Sequence, residues 1–217
     1  MNNLSELRHE HQKNKIQNNH LENTSPSPWD QLDLWIKEAL AHSYFQPNAM
    51  SLATVSPDGK PSCRMVLLKS FSPEGIIFYT HYLSKKAQEL AHFPHAALLL
   101  YWDKQERQIR IEGQVKKISP EESDQYFSSR PRGSQISAAI SPQSQKIPDR
   151  EYLEQKYLKL EQASQDKSIP RPEDWGGYCL VPSYFEFWQG RESRLHDRVI
   201  YQRANTSSGW EKSLLAP

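Results

Sequence analysis

Apolar and polar positions change rhythm three times along this chain. Leu32, Trp35, Ile36, Ala39 and Leu40 recur at helical spacing, so a helix is predicted from about Pro28 with these residues on its buried face. From Met50 the period shortens. Residues 50–55, 62–71 and 76–80 read as three strands. They are separated by Ser56-Pro57-Asp58-Gly59 and Ser72-Pro73-Glu74-Gly75. Proline presets φ and glycine tolerates positive φ, so both segments are turns and the three strands form an antiparallel meander. Ser84 is placed to cap a short helix through Leu90. Residues 96–102 form an apolar strand, and 107–118 alternate, with Ile109, Ile111 and Val115 on one face.

Helical signals then return. Ser119-Pro120-Glu121-Glu122 is a capping box with proline at the first helical position, and Pro131 ends that helix near Arg130. Asp149 is a candidate cap for a helix carrying Leu153, Tyr157 and Leu160. The remainder reads as strands at 177–182, 184–188, 198–203 and 210–215, with 205–209 as a hairpin loop. Many short strands with few helices between them predict a mainly β fold, an antiparallel barrel with flanking helices. Residues 1–28 are rich in Asn, Gln, His and Ser and predict a mobile arm. Residues 29–217 predict one domain.

Composition narrows the class. The 217 residues carry a formal net charge of +1, so no global field argues for nucleic acid or an anionic membrane, and an anion site has to be a local cluster. There is no apolar run of membrane-spanning length and no signal-peptide pattern, so a cytoplasmic protein is expected. Cys63 and Cys179 lie far apart and read as buried thiols of a reducing compartment. No metal-type spacing, dinucleotide glycine motif, Walker loop or Gly-x-Ser-x-Gly elbow occurs, so no metal site is expected.

Four segments concentrate candidate chemistry. Arg64 and Lys69 bracket Met65-Val66-Leu67-Leu68. In a regular strand, positions five apart face opposite ways. The pair therefore serves different ligands, sits across a bulge, or is simply solvated at strand ends. Tyr79-Thr80 leads to Ser84-Lys85-Lys86, where a helix start with two ammonium groups suits a phosphate, or is an ordinary basic turn. Tyr126 and Arg130 share a helix face, with Ser134 just past Pro131. They are a phosphate grip or a solvated helix end. In Arg194-Leu195-His196-Asp197-Arg198, a strand would put Arg194, His196 and Arg198 on one face. Such a face needs anions or carboxylates to hold it.

In order, Arg64-Met65-Val66-Leu67-Leu68-Lys69, Phe78-Tyr79-Thr80, Ser129-Arg130-Pro131-Arg132-Gly133-Ser134-Gln135-Ile136, Glu186-Phe187-Trp188-Gln189-Gly190 and Arg194-Leu195-His196-Asp197-Arg198 closely resemble the pyridoxine 5′-phosphate oxidase family from about residue 45 onward. The ending Leu215-Ala216-Pro217 is similar too. The resemblance implies a split β-barrel homodimer with FMN at the dimer interface. It implies oxidation of pyridoxamine or pyridoxine 5′-phosphate by O2 to pyridoxal 5′-phosphate, with H2O2 released, and NH3 from the amine. It also implies residue roles. FMN would contact Arg64, Met65, Val66, Leu67, Leu68, Lys69, Tyr79 and Thr80, with Lys85 and Lys86 at its phosphate, and Gln108, Gln143, Ser144, Trp188 and Arg198 completing the site. The substrate phosphate would meet Lys69, Tyr126, Arg130 and Ser134, and the pyridine ring would meet Arg194 and His196.

Departures from the family pattern carry consequences. Lys85 stands where the family has arginine, which keeps the charge and loses the planar fork. Arg8-His9-Glu10-His11 only partly matches an arginine-rich arm. Asn18, Asn19 and Leu214 fall near the places of a second, regulatory product site, which is therefore expected to be weak or absent. Two other classes compete. A different split-barrel flavoprotein, such as a flavin reductase, would lack Arg130, Ser134 and the Arg194–His196 pair. A carrier of pyridoxal phosphate would need no flavin.

Overall fold

The computed structural model describes Leu21, residues 24–165 and residues 167–217. The expected arm falls largely outside the described residues, as do Arg8 to His11, Asn18 and Asn19. The described chain contains α1 (Pro28–Leu40), β1 (Ala49–Val55), β2 (Pro61–Leu67), β3 (Ser70–Ser72), β4 (Gly75–His81), α2 (Lys85–His92), β5 (His95–Trp102) and β6 (Arg107–Lys117). It continues with α3 (Pro120–Ser129), α4 (Arg132–Ile140), α5 (Glu151–Ala163), β7 (Trp175–Gln189), β8 (Asp197–Gln202) and β9 (Glu211–Leu214). Hydrogen-bonded strands follow the order β2-β1-β5-β6-β7-β4-β3, with β8 on β7 and β9 on β8. This is the antiparallel architecture with flanking helices that the patterning predicts. Among the described residues, no helix is long and apolar enough to cross a membrane.

The chain divides into two compact units. The first comprises the described residues up to Ser51, Ala97–Gly113 and Pro182–Pro217. Its core is aromatic. Trp35 of α1 meets Phe187 edge-on at 5.3 Å, Phe187 meets Tyr201 at 5.7 Å, and Trp29 meets Phe185 at 5.1 Å. Leu32, Trp35 and Ala39 are buried as the helical spacing predicts, but Leu40 is exposed because α1 ends there. Here β7 pairs antiparallel with β8 from Tyr184↔Gln202 to Gln189↔Asp197, and β8 pairs with β9.

The second unit comprises Leu52–Ala96 and Gln114–Val181. Its turns follow the glycine signals. Gly59 has φ +79 and its N–H donates to Ser56 O at 2.9 Å. Gly75 has φ +149 where β3 turns into β4, and a Cβ there would collide with Leu180 O and Cys179 Sγ. The expected strand 62–71 is broken. β2 stops at Leu67, and β3 starts at Ser70 and pairs with β4. Ser119 and Glu122 form the predicted capping box, and Asp149 Oδ1 accepts from the Tyr152 N–H at 2.8 Å at the start of α5. Helix α4, directly after Pro131, is an addition to the predicted elements. Phe127 of α3, Ile136 of α4, Ile169 and Trp175 of β7 form a hydrophobic cluster in this unit. Neither cysteine is in a disulfide. Cys179 is buried, but Cys63 is exposed because it points off the outer face of β2, against expectation.

Candidate functional site

The break between β2 and β3 settles the Arg64–Lys69 question. With Leu68 and Lys69 outside either strand, strict alternation lapses, and both cations line one cavity of about 460 Å³ within the second unit. Met65, Val66 and Leu67 from β2, Tyr79 and Thr80 from β4, and Lys86 from α2 line it as well. Tyr126, Arg130, Pro131, Ser134, Gln143 and Trp175 complete the wall. Four of these side chains are cationic, Arg64, Lys69, Lys86 and Arg130, and no carboxylate is among them.

Each cation is held differently. Lys86 is buried, and its Nζ donates to Gln143 Oε1 at 2.9 Å, Thr80 Oγ1 at 3.1 Å and Ser84 Oγ at 3.3 Å. All three acceptors are neutral. Burial, helped by the Arg64 charge, therefore pulls the Lys86 ammonium down to about 8, against a smaller upward pull from Glu89. Arg130 is the C-cap of α3, with its guanidinium 4.7 Å from the centre of the Trp175 ring. Its Nη1 is buried and has no hydrogen-bond partner among the described residues. Burial lowers its pKa. The Lys69 ammonium lies 5.8 Å from the Tyr126 ring centre. Tyr126 stacks on Tyr79 at 3.8 Å, and Tyr79 stacks on Trp175 at 5.4 Å. Burial in this stack pushes the Tyr79 hydroxyl up to about 12, so it stays neutral.

The remaining candidates lie in the first unit. Trp188 on β7 is the register partner of Arg198 on β8, and its ring lies 4.7 Å from the His196 ring. His196 Nδ1 accepts the Arg191 N–H at 3.1 Å. Arg198 Nε donates to buried Glu186 at 2.8 Å, and its Nη1 donates to Ala216 O at 2.7 Å. Burial pushes Glu186 up, but hydrogen bonds from Arg198 and Tyr184 outweigh it and hold the carboxyl below its usual range. Asp197 pairs with Arg191. These two carboxylates provide the counter-charge that the basic segment requires. The single-strand reading of residues 194 to 198 is corrected, however. Ser193 and Arg194 have φ +54 and +61, which no extended strand allows, and β8 starts only at Asp197. Gln108 lies on β6.

Two family models match the chain. A pyridoxamine 5′-phosphate oxidase model covers residues 36–163, and a pyridoxine 5′-phosphate oxidase C-terminal dimerisation region covers 175–217. The chain belongs to the pyridoxine/pyridoxamine 5′-phosphate oxidase family. It is an enzyme of that family. The pyridoxine/pyridoxamine 5′-phosphate oxidases of Burkholderia thailandensis and Burkholderia mallei are each 52% identical over 194 residues, 89% of this chain and 90% of theirs. The solved structure of PhzG from Burkholderia lata, in complex with tetrahydrophenazine-1-carboxylic acid, is 32% identical with a TM-score of 0.85 and covers 90% of this chain and 95% of that one. A pyridoxamine 5′-phosphate oxidase-related, FMN-binding protein from Nostoc punctiforme is 19% identical with a TM-score of 0.71, a likeness of fold.

Within this oxidase family chain, the second-unit cavity gathers nearly all the sequence-predicted residues of that unit. Three stand outside its lining. Leu68 is buried, Ser144 is exposed with φ +70, and Lys85 is exposed with its ammonium 3.8 Å from Glu89. Two residues with a part in the site were missed. Trp175, which carries the Arg130 guanidinium, sits alone after a proline-rich stretch and gave no signal. Glu89, buried behind Arg64, was detectable only as the i+4 partner of Lys85.

Proposed function

We propose that the chain is an FMN-dependent oxidase that converts pyridoxamine and pyridoxine 5′-phosphates to pyridoxal 5′-phosphate with O2, working as a homodimer. The observation that carries this reading is the carboxylate-free cavity with four cations. A cavity of that composition suits ligands bearing phosphate. The unpartnered Nη1 of Arg130 and the neutral-acceptor setting of Lys86 each leave a cation whose counter-charge a ligand would supply.

FMN fits this chemistry. Lys86, Arg64, Thr80 and Gln143 would hold its phosphate and ribityl end, the β2 residues 65–67 and Tyr79 would line the flavin, and Gln108, Ser144, Trp188 and Arg198 carry family roles toward the same cofactor. FMN would supply the redox chemistry, oxidation of the exocyclic C4′ carbon of the B6 phosphate with O2 as the final electron acceptor and H2O2 as its product. The protein's part is to bind and orient. Lys69, Arg130, Tyr126 and Ser134 grip the substrate phosphate, and Arg194 and His196 are assigned to the pyridine ring. Holding two rings in register converts a bimolecular encounter into a positioned one, which explains why no nucleophile or acid–base triad stands out. Adding pyridoxamine 5′-phosphate to purified protein with FMN tests this. Equal amounts of pyridoxal 5′-phosphate and peroxide are expected, and the absence of both would overturn the reading.

A further inference from the structure

Behind the cation cluster lies a buried carboxylate to which the proposed function gives no role. Glu89 on α2 is 3% exposed and stays ionised, because hydrogen bonds outweigh the upward push of its burial. Its oxygens accept from Ser62 Oγ at 2.9 and 2.8 Å, Thr54 Oγ1 at 2.5 Å and Arg64 Nη2 at 3.1 Å, with Lys85 Nζ at 3.8 Å. Arg64 is fixed in turn. Nη1 donates to Leu52 O at 3.1 Å and to Thr54 Oγ1, and Nη2 donates to Ser62 Oγ as well as to Glu89. The Thr54 and Ser62 hydroxyls thus serve both charges. The result is a closed network on β1, β2 and α2 whose front edge, Arg64, is cavity wall.

We infer that Glu89 is a positioning residue of the anion site, fixing the Arg64 guanidinium and placing a negative charge one helical turn from Lys86, so that both cations meet the ligand's phosphate. This deepens the proposed function and rests on FMN being that ligand. Lys86 faces Arg64 from β2 and Glu89 from its own helix. Its contacts on β4 and in the 141–145 loop, Thr80 and Gln143, are neutral. Among the described residues, Glu89 is therefore the negative charge that acts on Lys86 against burial and the Arg64 field.

Two accounts predict opposite signs for Glu89→Gln. If Glu89 only subtracts charge from the site, removing its charge tightens anion binding. If it positions Arg64 and keeps Lys86 protonated, removing the charge weakens binding, most strongly at alkaline pH. An anion binds best to protonated Lys86, so affinity declines as pH rises through the Lys86 pKa of the free protein, about 8. Without Glu89 that pKa falls, and the decline starts at lower pH.

The test is FMN titration of the full-length apoprotein, followed by quenching of flavin fluorescence from pH 6 to 9 (conditions chosen to span roughly the Lys86 transition). For Glu89→Gln, the expected result is a Kd about tenfold higher at neutral pH and an alkaline limb that begins at lower pH. Glu89→Asp keeps the charge and is expected to restore the limb even where affinity stays reduced. In Glu89→Gln/Lys86→Arg the limb is expected to vanish, because guanidinium does not titrate in this range. Circular dichroism of each apoprotein confirms folding, and Ser62→Ala provides a milder cut of the same network should Glu89→Gln unfold. Tighter or unchanged FMN binding by folded Glu89→Gln, or a limb that stays in place, overturns the inference. Absence of FMN binding by the unsubstituted protein instead overturns the cofactor reading.

Discussion

Replacing Arg130 with alanine separates a ligand grip from a structural cation. In the free protein this guanidinium has gains and losses that nearly cancel. It lies 4.7 Å from the Trp175 ring centre and 5.7 Å from that of Phe127, contacts worth about 0.5–2 kcal/mol. Against this, its buried Nη1 donates to no described residue, and an unsatisfied buried donor costs about 1–3 kcal/mol. Folding stability of the apoprotein should therefore change by less than about 1 kcal/mol, whereas a structural ion pair cut in half costs about 3–5 kcal/mol. The substrate's phosphate sees the opposite balance. Removing a buried cation from a phosphate clamp is expected to lose about 2–4 kcal/mol of binding, a rise in KM of roughly thirty- to a thousandfold. Steady-state assays with pyridoxamine 5′-phosphate, beside urea denaturation of the apoprotein, give both numbers. An unchanged KM with a large loss of stability would refute the argument, because it would make Arg130 a fold-holding residue.

Other expectations follow from the same geometry. Lys86 has a folded pKa near 8 against 10.5 unfolded, so between those values the unfolded chain holds more protons, and native stability rises with pH. Ligand-free Lys86→Met lacks that slope, and its Tm relative to the parent should fall steadily from pH 8 to about 10; parallel Tm curves would remove the desolvated lysine. Trp175→Ala empties a buried ring position and should cost about 3–5 kcal/mol in chemical denaturation, with a raised KM because Arg130 loses its platform. A loss under about 1 kcal/mol would place that ring outside the core. Arg194→Ala should cut turnover strongly while the flavin absorbance of the purified protein persists. Unaltered turnover would free Arg194 from any part in the reaction.

How much of this was legible in the sequence depends on the range of the physics involved. Turns at Gly59 and Gly75 and the Ser119 cap rest on residues within four positions of each other, and all were readable. Helix α4 was missed because Pro131 reads as a stop. It is also a start, and of the nine residues that follow only Ile136 is fully buried, so no periodic face announces the helix. Pro182 likewise suggested a break in β7. It falls between the ladder with β4, which ends at Leu180, and the ladder with β8, which begins at Tyr184, so its missing N–H costs neither. The Arg64–Lys69 alternation could not be resolved by counting, because the lapse at Leu68 and Lys69 depends on β3 pairing with β4. The cations themselves stood out locally. What steadies them did not, since Glu89 and Trp175 reach Arg64 and Arg130 across 25 and 45 residues of sequence. The left-handed pair Ser193 and Arg194, with no glycine to flag it, was equally silent.

The most direct test of the account is a crystal structure of the protein grown with FMN and pyridoxal 5′-phosphate. One phosphate is expected on Lys86 and Arg64, and the other on Lys69, Arg130 and Ser134, with Arg130 Nη1 gaining its acceptor. Phosphates bound elsewhere, with this cavity holding only water, would contradict it.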